Sequence, residues 1–318
     1  MSSALPAVEE SKPPESARSR HTILRRLVRR PVAVVSLAVI LVIYACGLLA
    51  SVVAPYDYRA QNLEQTFQSP SLQHWLGTDR LGRDMLTRII YGARTAAVVS
   101  ILAVTLGTVL GVVLGGFAGY FGRWVDTLLM RVSDILFAFP GMLLMIMIAA
   151  TLRPRVTAWA AALQDSLGFK GLVETGYIDY VVVFGAMSFI GWAGMARLVR
   201  GQLLSLREQP FVEAALVNGA SAWWIIRRHL LPNAMPQILV SVSMGLGGAV
   251  AAEVVLSWLG IGVQPPTPSW GTMIAENQGM LRFYPRLLLT PALVVAVLYL
   301  AFNLFGDALN DALNPRSR

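Results

Sequence analysis

The chain carries six long stretches of apolar residues, and these restrict its fold more than any other feature. A helix needs about 20 mostly apolar residues to cross the hydrocarbon core of a bilayer. Five of the stretches contain no charged residue, and the remaining one contains only Glu253. We therefore predict six membrane-spanning helices, at residues 32–54, 95–118, 135–152, 180–196, 234–263 and 287–306.

The composition also indicates that lipid is the main solvent of this chain. Charged residues make up 14% of it, whereas soluble domains average about 25%. The net charge of +8 is expected of basic loops facing anionic lipid and requires no nucleic-acid partner. The single cysteine, Cys46, excludes an intrachain disulfide, and three histidines without cysteine partners give no metal-site spacing. We expect an all-α polytopic membrane protein with no metal site.

Six spans place both termini on the same side of the membrane. With the N-terminus inside, 16 of the 26 lysines and arginines face the cytoplasm and 10 face outward. Basic residues concentrate on cytoplasmic loops, and the opposite topology would invert this ratio. We therefore predict that both termini are cytoplasmic.

The connection between the first two predicted spans contains a helix-forming segment. Thr78 or Asp79 can cap a helix over residues 80–93 that lies at the membrane surface and leads into the second span. Asp84 and Arg88 stand four residues apart, so they can form an ion pair on its surface.

A second outer segment, residues 153–179, shows helical spacing of apolar residues. This spacing predicts an amphipathic helix that lies on the outer membrane face or packs against a partner subunit. The residues that form its apolar side are Val156, Trp159, Ala160, Leu163 and Leu167.

A polar, helix-forming segment separates the fourth and fifth predicted spans. Residues 211–218 favour a short helix with Glu213 in its first turn, where a carboxylate suits the helix dipole. Gly219 can take the left-handed conformation that ends a helix, and Ser221 can cap a second one. Pro232 is expected to end this second helix before the next span. The prediction is a helix–turn–helix that lies along the cytoplasmic membrane surface.

This segment reads Glu-Ala-Ala from Glu213, then Gly219, and it closes with Leu231 and Pro232. That layout resembles the EAA loop of permease subunits in bacterial ATP-binding-cassette (ABC) importers. Four other segments resemble the peptide/nickel branch of these permeases, typified by the C subunit of dipeptide and oligopeptide importers. They are HWLGTDRLGRD (74–84), GYFGRWVD (119–126), LSWLGIGVQPPTPSWGTMI (256–274) and AFNLFGDALNDALNPR (301–316).

The resemblance implies that the chain forms half of a pathway for di- or oligopeptides in the bacterial inner membrane. Its implied partners are a second homologous permease subunit, two ATP-binding subunits or one fused ATPase, and an extracytoplasmic substrate-binding protein. The EAA loop would dock onto the ATPase. The residues implied at that interface are Glu213, Ala214, Ala215, Gly219, Ala220, Ser221, Leu231 and Pro232.

The chain lacks the G-x-x-x-x-G-K-[ST] pattern of a phosphate-binding loop. We therefore expect no enzymatic activity and no cofactor in this chain, with ATP and Mg²⁺ bound by the partner ATPase subunits. The predicted domain organisation follows from these expectations. It comprises a cytoplasmic tail (1–31), a first span with its outer loop and interfacial helix (32–94), a permease core (95–306) containing the outer insert (153–179) and the coupling loop (200–233), and a C-terminal tail (307–318).

Residues of the fifth span are candidates for the pathway and its gate. Gly245 and Gly248 precede Glu253, and a flexible or closely packed helix would suit a moving gate. A carboxylate inside the membrane is costly and usually faces a cavity or a partner. Glu253 could therefore contact the substrate, or it could hydrogen-bond within the helical bundle, and the sequence leaves both interpretations open.

Small residues also mark the second predicted span. The spacing of its glycines predicts a close helix–helix contact, with a pore-lining role as the alternative. These glycines are Gly107, Gly111, Gly115 and Gly116.

Other functions are less well supported by the residues. An ion-driven secondary transporter would require several intramembrane acids or paired broken helices, and only Glu253 is available. An intramembrane protease would require a Ser–His or paired-Asp arrangement, for which Asp126 and Asp134 are weak candidates. Nickel chelates and glycosides remain alternative substrates within the same architecture.

Overall fold

The computed structural model describes residues 25–167 and 176–313. The first part of the predicted N-terminal tail, residues 168–175 of the outer insert and residues 314–318 of the C-terminal tail lie outside the described residues. Six long helices, α1 to α6, each have the length and apolar character to cross a membrane, which confirms the six predicted spans. They occupy Pro31–Leu48, Met85–Phe121, Gly141–Leu167, Tyr177–Arg207, Leu231–Trp258 and Arg286–Leu313.

Shorter helices connect the six spans, and the described part of the chain contains no β-strand, only an isolated bridge. Because successive spans run in opposite directions, the connections alternate between two ends of the bundle. The coupling end holds the connections after α2 and α4, and the loop end holds those after α1, α3 and α5. The short helices are Ala50–Val53, Leu63–Gln65, the linker helix Arg123–Ala138, the coupling helix Pro210–Val217, Ala222–Ile225, the loop helix Trp270–Asn277, and Gln278–Met280.

Helix α2 begins at Met85, later than predicted, and the expected interfacial helix is simply its first turns. Asp84 caps it, because its Oδ2 accepts a hydrogen bond from the Thr87 backbone N–H at 2.7 Å. The predicted caps at Thr78 and Asp79 are wrong. The Asp79 carboxylate is already occupied by two backbone N–H groups of the turn that follows it.

The predicted Asp84–Arg88 pair is also wrong, because Arg88 belongs to a different ionic cluster. Its guanidinium lies 2.7 Å from Asp79 Oδ2 and 3.0 Å from Glu276 Oε2. Arg83 contacts the same two carboxylates at 2.7 and 2.8 Å. These buried charges pair in full, as charges removed from water must. The cluster joins the segment before α2 to the loop helix across the loop end.

The third span differs in its limits from the predicted 135–152. The linker helix ends at Ala138, and α3 starts only at Gly141. Pro140 explains the break, since a proline disfavours helical geometry in the residue before it, and Phe139 is indeed extended. The linker helix and α3 are therefore two elements where the hydropathy suggested one.

The amphipathic segment of the outer insert is not a separate surface helix, because α3 continues through it to Leu167. Val156 and Ala160 pack against a buried cluster, while Trp159 is 74% exposed. Leu163 is also exposed, and the side chain of Leu167 lies outside the described residues. The predicted apolar face is real in part, but it belongs to an extension of the third span.

The glycines of α2 form the predicted seam, and their partner is α4. A Cβ at Gly111 would stand 2.5 Å from the Met195 Cβ, and Gly115 is equally close to α4. Gly107 faces the α4 backbone at an ordinary 3.6 Å, whereas Gly116 has no neighbour within 4 Å. Three of the four glycines thus serve the contact predicted for them, and only side chains this small let the two backbones approach.

Candidate functional site: coupling loop and central cavity

The coupling helix occupies Pro210–Val217, almost as predicted, with its proline at the helix start and Glu213 in its first turn. Gly219 follows with φ of 74°, the left-handed conformation expected of it. Ser221 Oγ accepts a hydrogen bond from the Trp224 backbone N–H at 3.4 Å and so caps the next turn. The predicted helix, residues 211–218, therefore differs from the observed one by a single residue at each end, and the turn at Gly219 and the cap at Ser221 are as predicted.

The predicted stop at Pro232 is wrong. The helical segment that starts at Ala222 passes through a π-helical turn, Ile226–Leu230, and continues into α5 as far as Trp258. In that turn the Leu231 N–H donates to the carbonyl of Ile226. Pro232 then falls in the first turn of α5, where its missing N–H costs little. The part of the coupling loop that begins at Ala222 and the fifth span are consequently one continuous helical segment.

One face of the coupling loop is locked onto the spans. Val212 of the coupling helix is fully buried, and it packs in a single cluster with Ile225 and Leu230 of the segment that follows. The same cluster includes residues of α4 and α5, namely Met195, Val199, Leu203, Ala234 and Ile238. The loop therefore cannot move independently of these two spans without exposing buried apolar surface.

The other face of the coupling loop is open at the coupling end. Glu213 and Ala214 are exposed, and so are two large apolar side chains, Leu216 at 50% and Val217 at 84%. Among the remaining predicted interface residues, Gly219, Ser221 and Pro232 are exposed, and Ala215, Ala220 and Leu231 are half-buried. An acid, a small residue and an apolar tip thus project together from one short helix.

A cavity of about 300 Å³ lies at mid-depth between α2, α3, α4 and α5. Almost all of its lining residues are apolar, many of them have small side chains, and five are glycines. Gly245 and Gly248 line it, as a pathway role would require. A Cβ added at Gly248 would have no neighbouring atom within 4 Å. The other glycines in the wall are Gly107, Gly191 and Gly194.

Glu253 is not among the residues that line this cavity. It is 1% exposed, and its Oε1 accepts hydrogen bonds from Ser257 at 2.7 Å and Ser269 at 2.8 Å. Its Oε2 is buried and has no hydrogen-bond partner among the described residues. The carboxylate therefore ties α5 to the start of the loop helix, which favours the structural interpretation over contact with a substrate.

The two acids considered for a protease dyad are each engaged with an arginine of α4. Arg200 Nη2 donates to Asp126 Oδ2 at 2.7 Å, and Arg197 Nη2 donates to Asp134 Oδ1 at 2.5 Å. These ion pairs fasten the linker helix to α4 beside the coupling loop. These ion pairs are not predicted from the sequence, although opposite charges near the same membrane boundary could have suggested them.

Among the described histidines, His74 has a structural partner. His74 Nδ1 lies 2.9 Å from Asp84 Oδ1, so it supports the residue that caps α2. Within residues 25–167 and 176–313, no group of three His, Cys, Asp or Glu side chains could hold a metal ion.

The sequence missed one polar pocket, at the loop end. Two arginines and four tyrosines from separate parts of the chain meet there, together with Thr267 and Pro268. Tyr91 and Arg94 are three residues apart on α2, and a second pair is three residues apart on α4, but no spacing pattern joins these separate segments. The remaining members are Tyr58, Arg59, Tyr177 and Tyr180.

The fold and the site are those of a membrane permease. The bundle of six spans has a central cavity lined largely by small residues, and an exposed loop is packed against helices that line the cavity. Residues 111–318 match the family described as binding-protein-dependent transport system inner membrane component. Residues 20–70 match the N-terminal TM domain of oligopeptide transport permease C. The chain therefore belongs to this family of inner membrane permeases, as the EAA resemblance implied, and it is a multi-pass protein of the bacterial inner membrane.

Relatives extend the similarity over nearly the whole chain. It is 36% identical over 294 residues to the dipeptide transport system permease protein DppC of Alkalihalophilus pseudofirmus, covering 92% of this chain and 89% of the relative. It is 37% identical over 316 residues to the glutathione transport system permease protein GsiD of Escherichia coli, covering 98% of this chain and 96% of the relative. GsiD of Shigella boydii is similar to the same extent, at 37% identity over 316 residues.

Proposed function

We propose that the chain forms half of the translocation pathway of an ATP-driven importer of short peptides. The observation that carries this proposal is the continuous connection between the exposed coupling helix and the cavity. Val212, Ile225 and Leu230 join the loop to α4 and α5, and both spans supply cavity residues. Force applied to the loop is thereby delivered to the walls of the cavity.

The partners follow from this arrangement and from the family. We propose that an ATPase subunit receives Glu213, Ala214 and the apolar tip formed by Leu216 and Val217. A second homologous permease subunit completes the pathway, two ATP-binding subunits or one fused ATPase supply the energy, and an extracytoplasmic binding protein delivers the substrate. ATP and Mg²⁺ belong to the ATPase subunits, and this chain does not itself hydrolyse ATP. ATP binding must favour one conformation of the assembly if it is to shift the population of states.

Short peptides are the favoured substrate because the two kinds of relative are described by their transport of dipeptides and of glutathione. The cavity of about 300 Å³ in this one chain has room for part of such a molecule. Its wall offers apolar and glycine surface in place of specific polar contacts. A wall of this kind suits a pathway that must release each substrate after admitting it. Nickel chelates and glycosides have no comparable support.

The test is substitution of the exposed acid on the coupling helix. We expect Glu213→Arg to reduce co-purification of the ATPase subunit, or to leave ATP hydrolysis running without peptide uptake in proteoliposomes. Glu208→Arg is the matched control, since Glu208 is an exposed acid that lies just before the coupling helix. Unchanged ATPase binding and unchanged peptide uptake in the Glu213 variant would contradict the proposed docking.

A further inference from the structure

The polar pocket at the loop end is built to attract an anion. Its volume is about 170 Å³, and two of its eight lining residues, Arg59 and Arg94, are cations. None of the lining residues that the structure describes is a carboxylate. The pocket therefore carries positive charge that its own wall does not neutralise.

Among the described residues Arg94 has no acid partner, unlike three other arginines of the loop end. Arg83, Arg88 and Arg153 are each bonded to at least one carboxylate. Arg94 is half-buried, yet no hydrogen bond or ion pair holds its guanidinium among the described residues. A guanidinium that has lost part of its hydration without gaining an acid is disposed to bind one.

The acid nearest in sequence to the pocket is already engaged in the turn that contains it. Asp57 lines the adjacent hollow, and its Oδ1 accepts a hydrogen bond from the Arg59 backbone N–H at 2.8 Å. The Arg59 side chain donates from Nε to the Tyr58 hydroxyl at 3.0 Å, which leaves its other N–H groups available. The exposed Arg59 thus adds a second positive charge at the rim of the pocket.

The tyrosines divide into one that shapes the wall and others that can donate. Thr95 Oγ1 donates to the carbonyl of Pro268 at 2.7 Å, so the Tyr180 hydroxyl, 3.2 Å away, must donate to Thr95. Tyr180 therefore fixes the pocket against the segment before the loop helix. The Tyr58 and Tyr91 rings stack obliquely, 4.5 Å apart, beside Arg94 in the wall. The Tyr91 hydroxyl forms no hydrogen bond with the described residues, so it can donate to a bound anion.

The position of the pocket places it in line with the central cavity. Tyr180 packs against the apolar cluster that contains Ala103 and Met187, and both of these residues line the cavity. Along α4, Met187 stands two turns beyond Tyr180, a rise of about 10 Å. A molecule that passes from the loop end into the cavity therefore meets the arginines first and the apolar wall second.

We propose that this pocket receives the C-terminal carboxylate of a short peptide as the peptide enters the cavity. The inference rests on the proposed peptide function and adds a substrate-recognition site to it. Arg94 is its anchor, because a guanidinium matches the two oxygens of a carboxylate. Tyr91 donates a further hydrogen bond, and Arg59 attracts the anion to the rim. The remainder of the peptide then extends toward the cavity.

The experiment compares two probes, the dipeptide Ala-Phe and its C-terminal amide, in proteoliposomes that contain the complete importer. Each probe is supplied at a concentration that saturates the binding protein, so that delivery is equal for a given probe across all variants. We expect Arg94→Gln to lower the uptake of Ala-Phe about tenfold, the usual scale for loss of one charged hydrogen-bonding partner. Uptake of the amide should change less than about twofold, since it presents no carboxylate to the guanidinium.

Three further variants separate recognition from folding. Arg94→Lys should retain part of the uptake of Ala-Phe, because it keeps the charge but loses the two-pronged geometry. Tyr91→Phe removes a single hydroxyl and should also lower the uptake of Ala-Phe selectively. Arg80→Gln, which removes an exposed positive charge from the same end, should leave both probes unaffected.

The outcomes distinguish the two levels of the proposal. Equal losses for both probes in Arg94→Gln would overturn the carboxylate site and would indicate docking of the binding protein or a structural role. Unchanged uptake of Ala-Phe in Arg94→Gln and Tyr91→Phe would overturn it as well. If the wild-type importer hydrolyses ATP but transports neither probe, the peptide function itself is contradicted.

Discussion

Gly115 of α2 lies so close to Ala196 of α4 that a Cβ on the glycine would stand 2.4 Å from the alanine carbonyl oxygen. The obstacle is backbone, which cannot move aside as a flexible side chain could. This contact belongs to the seam between two spans that both line the central cavity.

Gly115→Ala should therefore destabilise the folded chain. Overpacking a close helix contact typically costs about 1–3 kcal/mol. We expect a lower midpoint of thermal unfolding for the purified protein in detergent. The adjacent Gly116→Ala is the matched control, because Gly116 has no neighbour within 4 Å. An equal effect of the two substitutions would show that helix propensity, and not the seam, determines the result.

The turn of the coupling loop offers a second test. Gly219 has φ of 74° and no neighbour within 4 Å of its Cβ position, so conformation alone restricts it. A β-branched residue is strained there by about 1–2 kcal/mol, whereas asparagine tolerates the left-handed region. We expect Gly219→Val to lower peptide uptake per ATP hydrolysed and Gly219→Asn to preserve most of it.

The control for this turn is Gly201→Val in the last part of α4, which also has open space around it and has ordinary helical geometry. Normal coupling in Gly219→Val would mean that the turn is not required for docking to the ATPase.

The predicted spans were recovered because hydropathy over about 20 residues reports directly on the cost of placing backbone and side chains in lipid. The turn around Gly219 and Ser221 was recovered for a local reason, since a left-handed residue and a cap depend on their immediate neighbours. The errors concern choices among local signals. Asp79 and Asp84 are both able to cap a helix, and only the buried arginines that claim Asp79 decide between them.

The remaining differences between prediction and structure also have physical causes. A proline normally ends a helix, but a π-helical turn just before Pro232 lets the helix continue, and nothing in the residue pattern announces such a turn. The pocket around Arg94 was beyond prediction, because its residues come from four distant segments. The interface residues, the domain limits and the membrane orientation stay predictions.

The wall of the central cavity supplies the next prediction. Gly248 is exposed to the cavity, and a side chain placed there meets no atom within 4 Å of its Cβ. We expect Gly248→Leu to block peptide uptake without lowering the thermal midpoint, because it occupies the cavity and leaves the helix packing intact.

Gly185→Leu on α4 is the matched control, since Gly185 also has open space but does not line the cavity. Normal uptake in Gly248→Leu, with a correctly assembled complex, would place the pathway elsewhere.

Substitutions of Glu253 test whether this residue has a structural role or contacts the substrate, the two interpretations that the sequence left open. Its Oε1 accepts hydrogen bonds from Ser257 and Ser269, which joins α5 to the loop helix. Glu253→Gln keeps an acceptor oxygen in that place, so we expect near-normal stability and near-normal uptake. Glu253→Leu leaves both hydroxyls without their acceptor in a buried site, which costs about 1–3 kcal/mol for each unsatisfied group.

The thermal midpoint and peptide uptake should therefore both fall in Glu253→Leu, and both should remain near the wild-type values in Glu253→Gln. Both quantities must be measured on the same preparations, because a role in the pathway would lower peptide uptake without lowering the thermal midpoint. Loss of uptake in Glu253→Gln at an unchanged thermal midpoint would mean that the carboxylate charge itself acts during transport.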